Sequence, residues 1–451
     1  MNYISIIGSG IMSAILNLLI YLINLNKNII LFESNNFFCL ENTKVLNNAG
    51  TGHTGMCENN YIYNFKNNYF IKKNLRINYK FDFTKQLFSW IKYLKLFNLN
   101  KIISNISHIS YFYLKKNNIK LKKIFTKLKK IKKIKFTNNL LIIKKIFPIL
   151  LNKKKIKKNF SITYYKNGFD INYELFSIKI FFFLSKKKNF FYYLNKKIIL
   201  IKKKKNKFII KLKNKKIIVD EIFICSGGNS YSLINNFNNK IIKNYLNFPI
   251  SGNWLILENN KIIKKHNLKV YSETLKKNPP MSIPHLDLRK ILKKNKILFG
   301  PFAGITFNIL IKKQKTIIKE LNLKKIIKII FFSIKNFYLI KYLIKENIKS
   351  KKNKIKSIIP FLKIKNFNFY YKKAGKRLQI LKIKNQTKIN FGTKLIFNKN
   401  KKIIVILGAS PGASIAVYIC KNILKKWNNS FNNFFSYNIK NNIFFNKILY
   451  I

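Results

Sequence analysis

Arginine, acidic side chains, cysteine and histidine are scarce in this chain, and each shortage excludes something. Among 91 basic residues only Arg76, Arg289 and Arg377 are arginine, against 13 acidic residues and a formal net charge of +78. Such a charge ordinarily points to nucleic acid or an anionic membrane. No specific nucleic-acid partner is expected, because the guanidinium forks suited to phosphate and base edges are nearly missing and the lysines are spread along the chain. The expectation is a solvated Lys-rich surface, with attraction to an anionic membrane surface as its functional alternative. Cys39, Cys57, Cys225 and Cys420 form no CxxC pair, and only four histidines are present. Neither a disulfide framework nor a metal centre is expected, and a reducing cytoplasm suits the chain. Long uncharged runs are also few, and none later in the chain reaches the length of Asn2 to Asn26. That segment has no basic region ahead of it, and a Gly8-Ser9-Gly10 turn splits it, so it reads as a buried βα unit rather than a signal peptide or membrane span.

What fills the chain is Lys, Asn, Ile, Phe and Tyr, residues with A/T-rich codons, as mutational drift in an A/T-rich genome would leave it. At 451 residues and 48% hydrophobic content there is ample material for two domains with buried cores. The fifteen glycines, with Ala, Pro and Arg, resist the drift and cluster in short segments. Those segments carry the signal.

Tyr3 to Ile7 reads as a buried parallel strand, Ile11 to Asn24 as a helix and Asn28 to Phe32 as a second strand ending at Glu33. Gly8, Gly10 and Ser13 sit in and after the loop, with an acid about twenty residues on, which is the layout of a dinucleotide-binding unit. Gly8 permits the tight turn, Gly10 lets the backbone approach a pyrophosphate, and the helix N-terminus offers N–H groups to it. Glu33 would accept hydrogen bonds from ribose hydroxyls. Residues 61 to 160 are expected to be largely helical. Lys196 to Val219 alternates as a β-meander, and Ile222 to Cys225 is a strand running into Ser226-Gly227-Gly228. Residues 250 to 310 suggest an ordered loop-and-strand region, 311 to 356 helix, and Ile403 to Leu407 a strand followed by the turn Gly408 to Gly412 and a helix to Trp427.

The most distinctive segment is Asn47-Asn48-Ala49-Gly50-Thr51-Gly52-His53-Thr54-Gly55, a backbone suited to folding tightly against a flat ligand. Together with the first loop it resembles the malate:quinone oxidoreductases, a flavoprotein family allied to amino-acid-oxidase-like enzymes. The likeness continues in family order through Gly168 to Asn172, Phe248 to Gly252, Pro280 to Arg289, Phe299 to Gly304, Ala374 to Gln379 and Leu407 to Ser414. One departure is Lys376, where the family pattern has Gln.

This resemblance implies an α/β fold with a Rossmann-like FAD-binding domain and a second sheet-and-helix substrate domain. The cofactor domain is assigned to 1–60, 165–235 and 370–430, the substrate domain to 61–164 and 236–369, and 431–451 to a low-complexity tail. It implies FAD held by Gly8, Gly10, Ser13, Glu33, Gly50, Thr51, Gly52, Gly227, Gly408, Ser410 and Gly412. It also implies oxidation of (S)-malate to oxaloacetate, with electrons passed to a membrane quinone at the malate step of the citric acid cycle. The protein is then expected in the cytoplasm, peripheral on the inner face of the cell membrane. A dicarboxylate calls for fixed cations, so Arg289 and Arg377 are candidates, unless Arg289 pairs with nearby Asp287 to hold a loop. Oxidising a secondary alcohol needs a base, and His285 is favoured, with His53 next. Either histidine would otherwise order its own loop. Two rivals stand beside this reading: a related FAD oxidase of another 2-hydroxy acid, such as 2-hydroxyglutarate, and a Lys-rich nucleic-acid or membrane binder on a decayed flavin fold.

Overall fold

The computed structural model describes residues 2–23, 27–55, 63–65, 68–70, 72–112, 121–123, 125–126, 134–150, 160–237, 242–272, 285–291, 294–311, 317–318, 321–358, 368–383, 387–390, 392–408 and 412–427. The first apolar run becomes the strand Tyr3–Ile7, the helix Ile11–Leu22 follows, and Asn28–Phe32 pairs parallel to the first strand. These strands belong to a six-stranded sheet in the order Phe190–Tyr193, Asn28–Phe32, Tyr3–Ile7, Glu221–Ile224, Ile403–Gly408, Thr393–Phe397. The first five run parallel and the last is antiparallel. Apolar residues fill both faces of the parallel strands because both are covered. Helices Ile11–Leu22, Tyr173–Ser185 and Ala416–Trp427 build one core with Ile4, Ile6, Leu31, Phe223 and Ile404. The meander Leu200–Val219 and the helix Ser230–Phe237 build the other with Ile7, Phe32, Ile222 and Val405.

From Tyr3–Ile7 the chain first moves to one side of the sheet and later returns on the other through Glu221–Ile224. Strand order therefore reverses beside Ile7 and Ile224, and a crevice opens at the carboxyl ends of these strands. A ten-stranded, mostly antiparallel sheet stands over it. Its central members are Tyr245–Leu257, Lys294–Ile305, His285–Ile291 and Leu268–Tyr271, and Arg377–Ile383 pairs onto Tyr245–Leu257. A small third sheet joins Thr51–Gly52 to Phe169–Ile171 and Ile103–Asn105.

Among the described residues of 61–160, the helices Lys72–Tyr93 and Leu140–Ile146 alternate with the strands Ile103–Asn105, Ser107–Phe112 and Ile134–Thr137. Isoleucine is the default apolar residue here, and pairing of Ser107–Phe112 with Leu268–Tyr271 and Ser161–Tyr165 decides its conformation. His285 and Arg289 stand on a strand with its side chains largely buried, not in a loop. Pro360 and the stretch 428–451 lie outside the described residues.

Candidate functional site

The crevice deepens into a cavity of about 350 Å³ walled by both large sheets. Its lining includes Ile7, Gly8, Ser9, Gly10, Ile11 and Met12, Glu33 and Lys196, and Trp254, Tyr271 and His285. Gly8 has φ of +97°, and an added Cβ would lie 2.7 Å from Ser226 Cα, so the loop closes against the next strand only with glycine here. Gly10 is the helix N-cap and brings no side-chain acceptor, which leaves the helix entrance facing the cavity. Thr43 Oγ1 accepts from Ile11 N at 3.0 Å and steadies that entrance. Glu33 is 7% exposed, and its carboxylate accepts from Ser9 N at 3.0 Å, Ser9 Oγ at 2.7 Å and Asn35 N at 2.8 Å.

Gly50, Thr51, Gly227, Gly408 and Gly412 also line the cavity. The Thr51 carbonyl accepts from Ser414 Oγ at 2.8 Å and Tyr173 Oη at 2.9 Å, tying the N-terminal glycine segment to the C-terminal turn. Gly408 has φ of +93°, and Gly392 O occupies the place of a Cβ. Two of the glycine-segment and helix candidates are not on the wall. Ser13 is fully buried and receives Asn17 Nδ2 at 3.2 Å, and a Cβ at Gly52 would strike Phe169 and Phe81, so both serve close packing. Ser410 lies outside the described residues.

The four histidines separate by environment. His285 lines the cavity at 7% exposure, with Nδ1 2.6 Å from Asp287 Oδ2. A carboxylate accepts, so Nδ1 carries the proton and Nε2 is left as the basic nitrogen. Burial opposes the charge on Asp287, but His285 and Lys269 outweigh it and hold the carboxyl below its ordinary range. His53 also lines the cavity, yet its Nδ1 accepts from Gly55 N at 3.0 Å. A neutral His53 therefore holds its proton on Nε2 and presents a donor.

His108 and His266 are buried away from the cavity, and burial lowers their pKa values to about 3 and about 4. Their unfolded values lie near 6.5, so between there and the folded values the unfolded chain binds more protons. Stability from both is complete above about pH 6.5 and is lost as pH falls, by about 1.4 kcal/mol per pH unit for each. Denaturant unfolding at stepped pH checks this. His266→Phe should flatten the acid limb, and an unchanged limb would exclude His266 as a source.

Arg289, the first cation candidate, is not among the residues that line the cavity: it is 0% exposed, with Nε 3.0 Å from Asp170 Oδ1 and Nη1 donating to Asn48 O at 2.6 Å. Its ion-pair partner is Asp170 rather than Asp287, and it lies against Gly50, where any Cβ would collide with the guanidinium. Lys269, also 0% exposed, was not anticipated at all. Its Nζ donates to Ala49 O at 2.8 Å and sits 3.0 Å from Asp170 Oδ1 and 3.9 Å from Asp287 Oδ2. In a chain this rich in lysine nothing local distinguishes it. Arg377 does line the cavity, as does Lys376, whose Nζ donates to Leu310 O.

These features fit a dinucleotide cofactor, with a glycine N-cap at the helix entrance, an acid at the end of the second strand and a glycine-lined wall beyond. The Malate:quinone oxidoreductase (Mqo) family profile matches residues 2–443. The chain is 34% identical over 441 residues to a probable malate:quinone oxidoreductase of Prochlorococcus marinus (strain MIT 9515), covering 94% of this chain and 88% of that one. It is 31% identical over 436 residues to a probable malate:quinone oxidoreductase 1 of Staphylococcus aureus (strain MW2), covering 93% and 89%. Among solved structures, the L-alpha-glycerophosphate oxidase of Mycoplasma pneumoniae with FAD bound superposes with a TM-score of 0.59 at 13% identity, covering 95% of each chain. The glycine oxidase of Bacillus cereus ATCC 14579 does so at 0.59 and 11%, covering 95% of this chain and 97% of that one. The fold is thus that of the amino-acid-oxidase-like flavoproteins, and the chain belongs to the malate:quinone oxidoreductase family of FAD-dependent oxidoreductases.

Proposed function

We propose that this protein oxidises (S)-malate to oxaloacetate and delivers the electrons to a membrane quinone, at the malate step of the citric acid cycle. The observation that carries this reading is His285, paired with Asp287, on the wall of a glycine-lined cavity in a chain of this family. Gly8, Gly10 and the amides opening the helix Ile11–Leu22 would hold the FAD pyrophosphate. Glu33 would hold a ribose, with Gly50, Thr51, Gly227, Gly408 and Gly412 close to the rest of the cofactor. When bound, FAD supplies the two-electron acceptor for the hydrogen on malate C2.

The protein's own part is to bind, orient and take a proton. His285 Nε2 removes the C2 hydroxyl proton, and Asp287 fixes the ring and favours the imidazolium that results. His53 presents its Nε2–H as a donor to the carbonyl oxygen that develops. Arg377 holds a substrate carboxylate by its fork, with Lys376 adding positive potential. Trp254 and Tyr271 flank His285, with ring centroids 5.7 and 5.2 Å from it, and restrict water there. We assign the cofactor domain to 1–60, 165–235 and 370–430 and the substrate domain to the segments between, with the strands Tyr370–Lys373, Arg377–Ile383 and Thr387–Asn390 joining the ten-stranded sheet. No helix among the described residues is long and apolar enough to cross a membrane, so we place the protein peripherally on the inner face of the cell membrane.

The first test is anaerobic absorbance between about 350 and 550 nm, where oxidised flavin absorbs. Bleaching on adding (S)-malate supports the reading, whereas bleaching by other 2-hydroxy acids alone, or peroxide formed at every turnover, favours a related oxidase. Arg377→Gln should raise KM for malate by about 10- to 100-fold, the value of one charge-assisted hydrogen-bonded contact, with a smaller change in kcat. Steady-state kinetics with a soluble dye checks this, and an unchanged KM would place the carboxylate elsewhere.

A further inference from the structure

The helix pair Leu323–Lys335 and Phe337–Ile348 carries ten of the twenty-five exposed large hydrophobic side chains among the described residues. Leu323, Ile326, Ile327, Ile330, Phe331 and Ile334 are between 41% and 75% exposed, and their spacing by three and four residues puts them on one face. The opposite side buries Phe332 and sends two lysines inward. Lys325 Nζ donates to Tyr231 Oη at 3.1 Å and Lys328 Nζ to Ile383 O at 2.8 Å. A helix on a water-facing surface turns its apolar stripe inward and its lysines outward; here the outward face is apolar. Phe337, Tyr338, Ile344 and Ile348 extend that face across the second helix.

We propose that this face is where the protein docks on an anionic lipid bilayer. The apolar stripe lies at the boundary of headgroups and acyl chains, and Lys324, Lys335, Lys341 and Lys345 meet the headgroup phosphates. Charge selects this occupant. Between residues 323 and 348 the sole acid is Glu346, and it pairs with Lys349 at 3.4 Å. A second copy of the chain would set lysine against lysine, whereas an anionic bilayer supplies an apolar layer and counter-charge together. The face also backs onto the cavity wall. Asn347 Nδ2 donates to Ile305 O at 2.8 Å, and the strand ending there lines the cavity through Pro301 and Ala303. Delivery of electrons to a lipid-borne quinone beside that wall rests on the malate:quinone reading; the docking does not.

The test is co-sedimentation of the full chain with phosphatidylcholine vesicles, with and without phosphatidylglycerol. Ile327→Glu, Ile330→Glu and Ile334→Glu combined should weaken binding to the anionic vesicles on the order of a hundredfold. Lys324→Gln, Lys335→Gln, Lys341→Gln and Lys345→Gln combined should weaken it by about tenfold or more. Both variants should keep the wild-type unfolding midpoint, because the replaced side chains are exposed, and should keep malate-dependent reduction of a soluble dye. Undiminished vesicle binding by the triple variant overturns the proposal, as does a wild-type dimer in sedimentation velocity that the triple variant dissolves. If vesicle binding responds as expected but wild-type protein reduces no dye with malate, the docking face stands and the malate reading falls.

Discussion

With His285 replaced by Asn, bleaching of the bound flavin by malate is expected to slow by about 10²- to 10⁴-fold, while flavin content stays at the wild-type level. Asn matches the ring in size and can still hydrogen-bond Asp287, but it offers no nitrogen that takes a proton near neutral pH. Rapid-mixing absorbance under anaerobic conditions separates the two quantities, because flavin content is read before malate is added. His53→Asn should slow the same step less, since its Nδ1 already accepts from Gly55 N. If His53→Asn proves the more damaging change, the base assignment is reversed.

The second large effect concerns stability. Asp170→Ala should lower the free energy of unfolding by about 3–5 kcal/mol, because it leaves buried Lys269 and Arg289 without their shared counter-charge. Denaturant midpoints at constant slope measure this, and a loss below about 1 kcal/mol would mean the cluster relaxes at little cost. Arg289→Lys sharpens the distinction between a structural and a binding role. It should lower the unfolding midpoint and leave KM for malate near wild type. A raised KM at an unchanged midpoint would restore Arg289 as a substrate ligand.

The parts read correctly from sequence share a physical cause. Gly8 and Gly408 hold positive φ angles with neighbouring backbone packed where a Cβ would go, so drift cannot replace them without breaking the turn. They stand out in the sequence because the fold tolerates nothing else. The parallel strands were legible because burial on both faces leaves uninterrupted apolar runs, as in Ile29 to Phe32 and Ile222 to Ile224. Between residues 100 and 165 no such contrast exists. Ile109 and Ile143 are both fully buried, one in a strand and one in a helix, so a buried isoleucine does not by itself tell the two states apart. Their state follows from partners distant in sequence. Placement in the candidate site was legible unevenly: the chain has only four histidines and His285, in a motif, lines the cavity, whereas the position of Arg289 is set by Asp170 and Gly50, far from it in the chain. Lys269 had no distinguishing neighbour at all.

The bonds from Ser414 to the Thr51 carbonyl and from His53 N to Ser414 Oγ have a bearing on biosynthesis. The glycine segment and the turn that clasps it are separated by most of the polypeptide, and Glu221–Ile224 lacks a neighbour on one side until Ile403–Gly408 has been made. A ribosome-bound chain that has emerged only to residue 390 already owns the phosphate loop, yet one wall of its cavity is still untranslated. Flavin capture should therefore wait until Gly408 and Gly412 have been made and folded back onto the sheet. Until then the apolar strand Glu221–Ile224 keeps one edge open to other nascent chains.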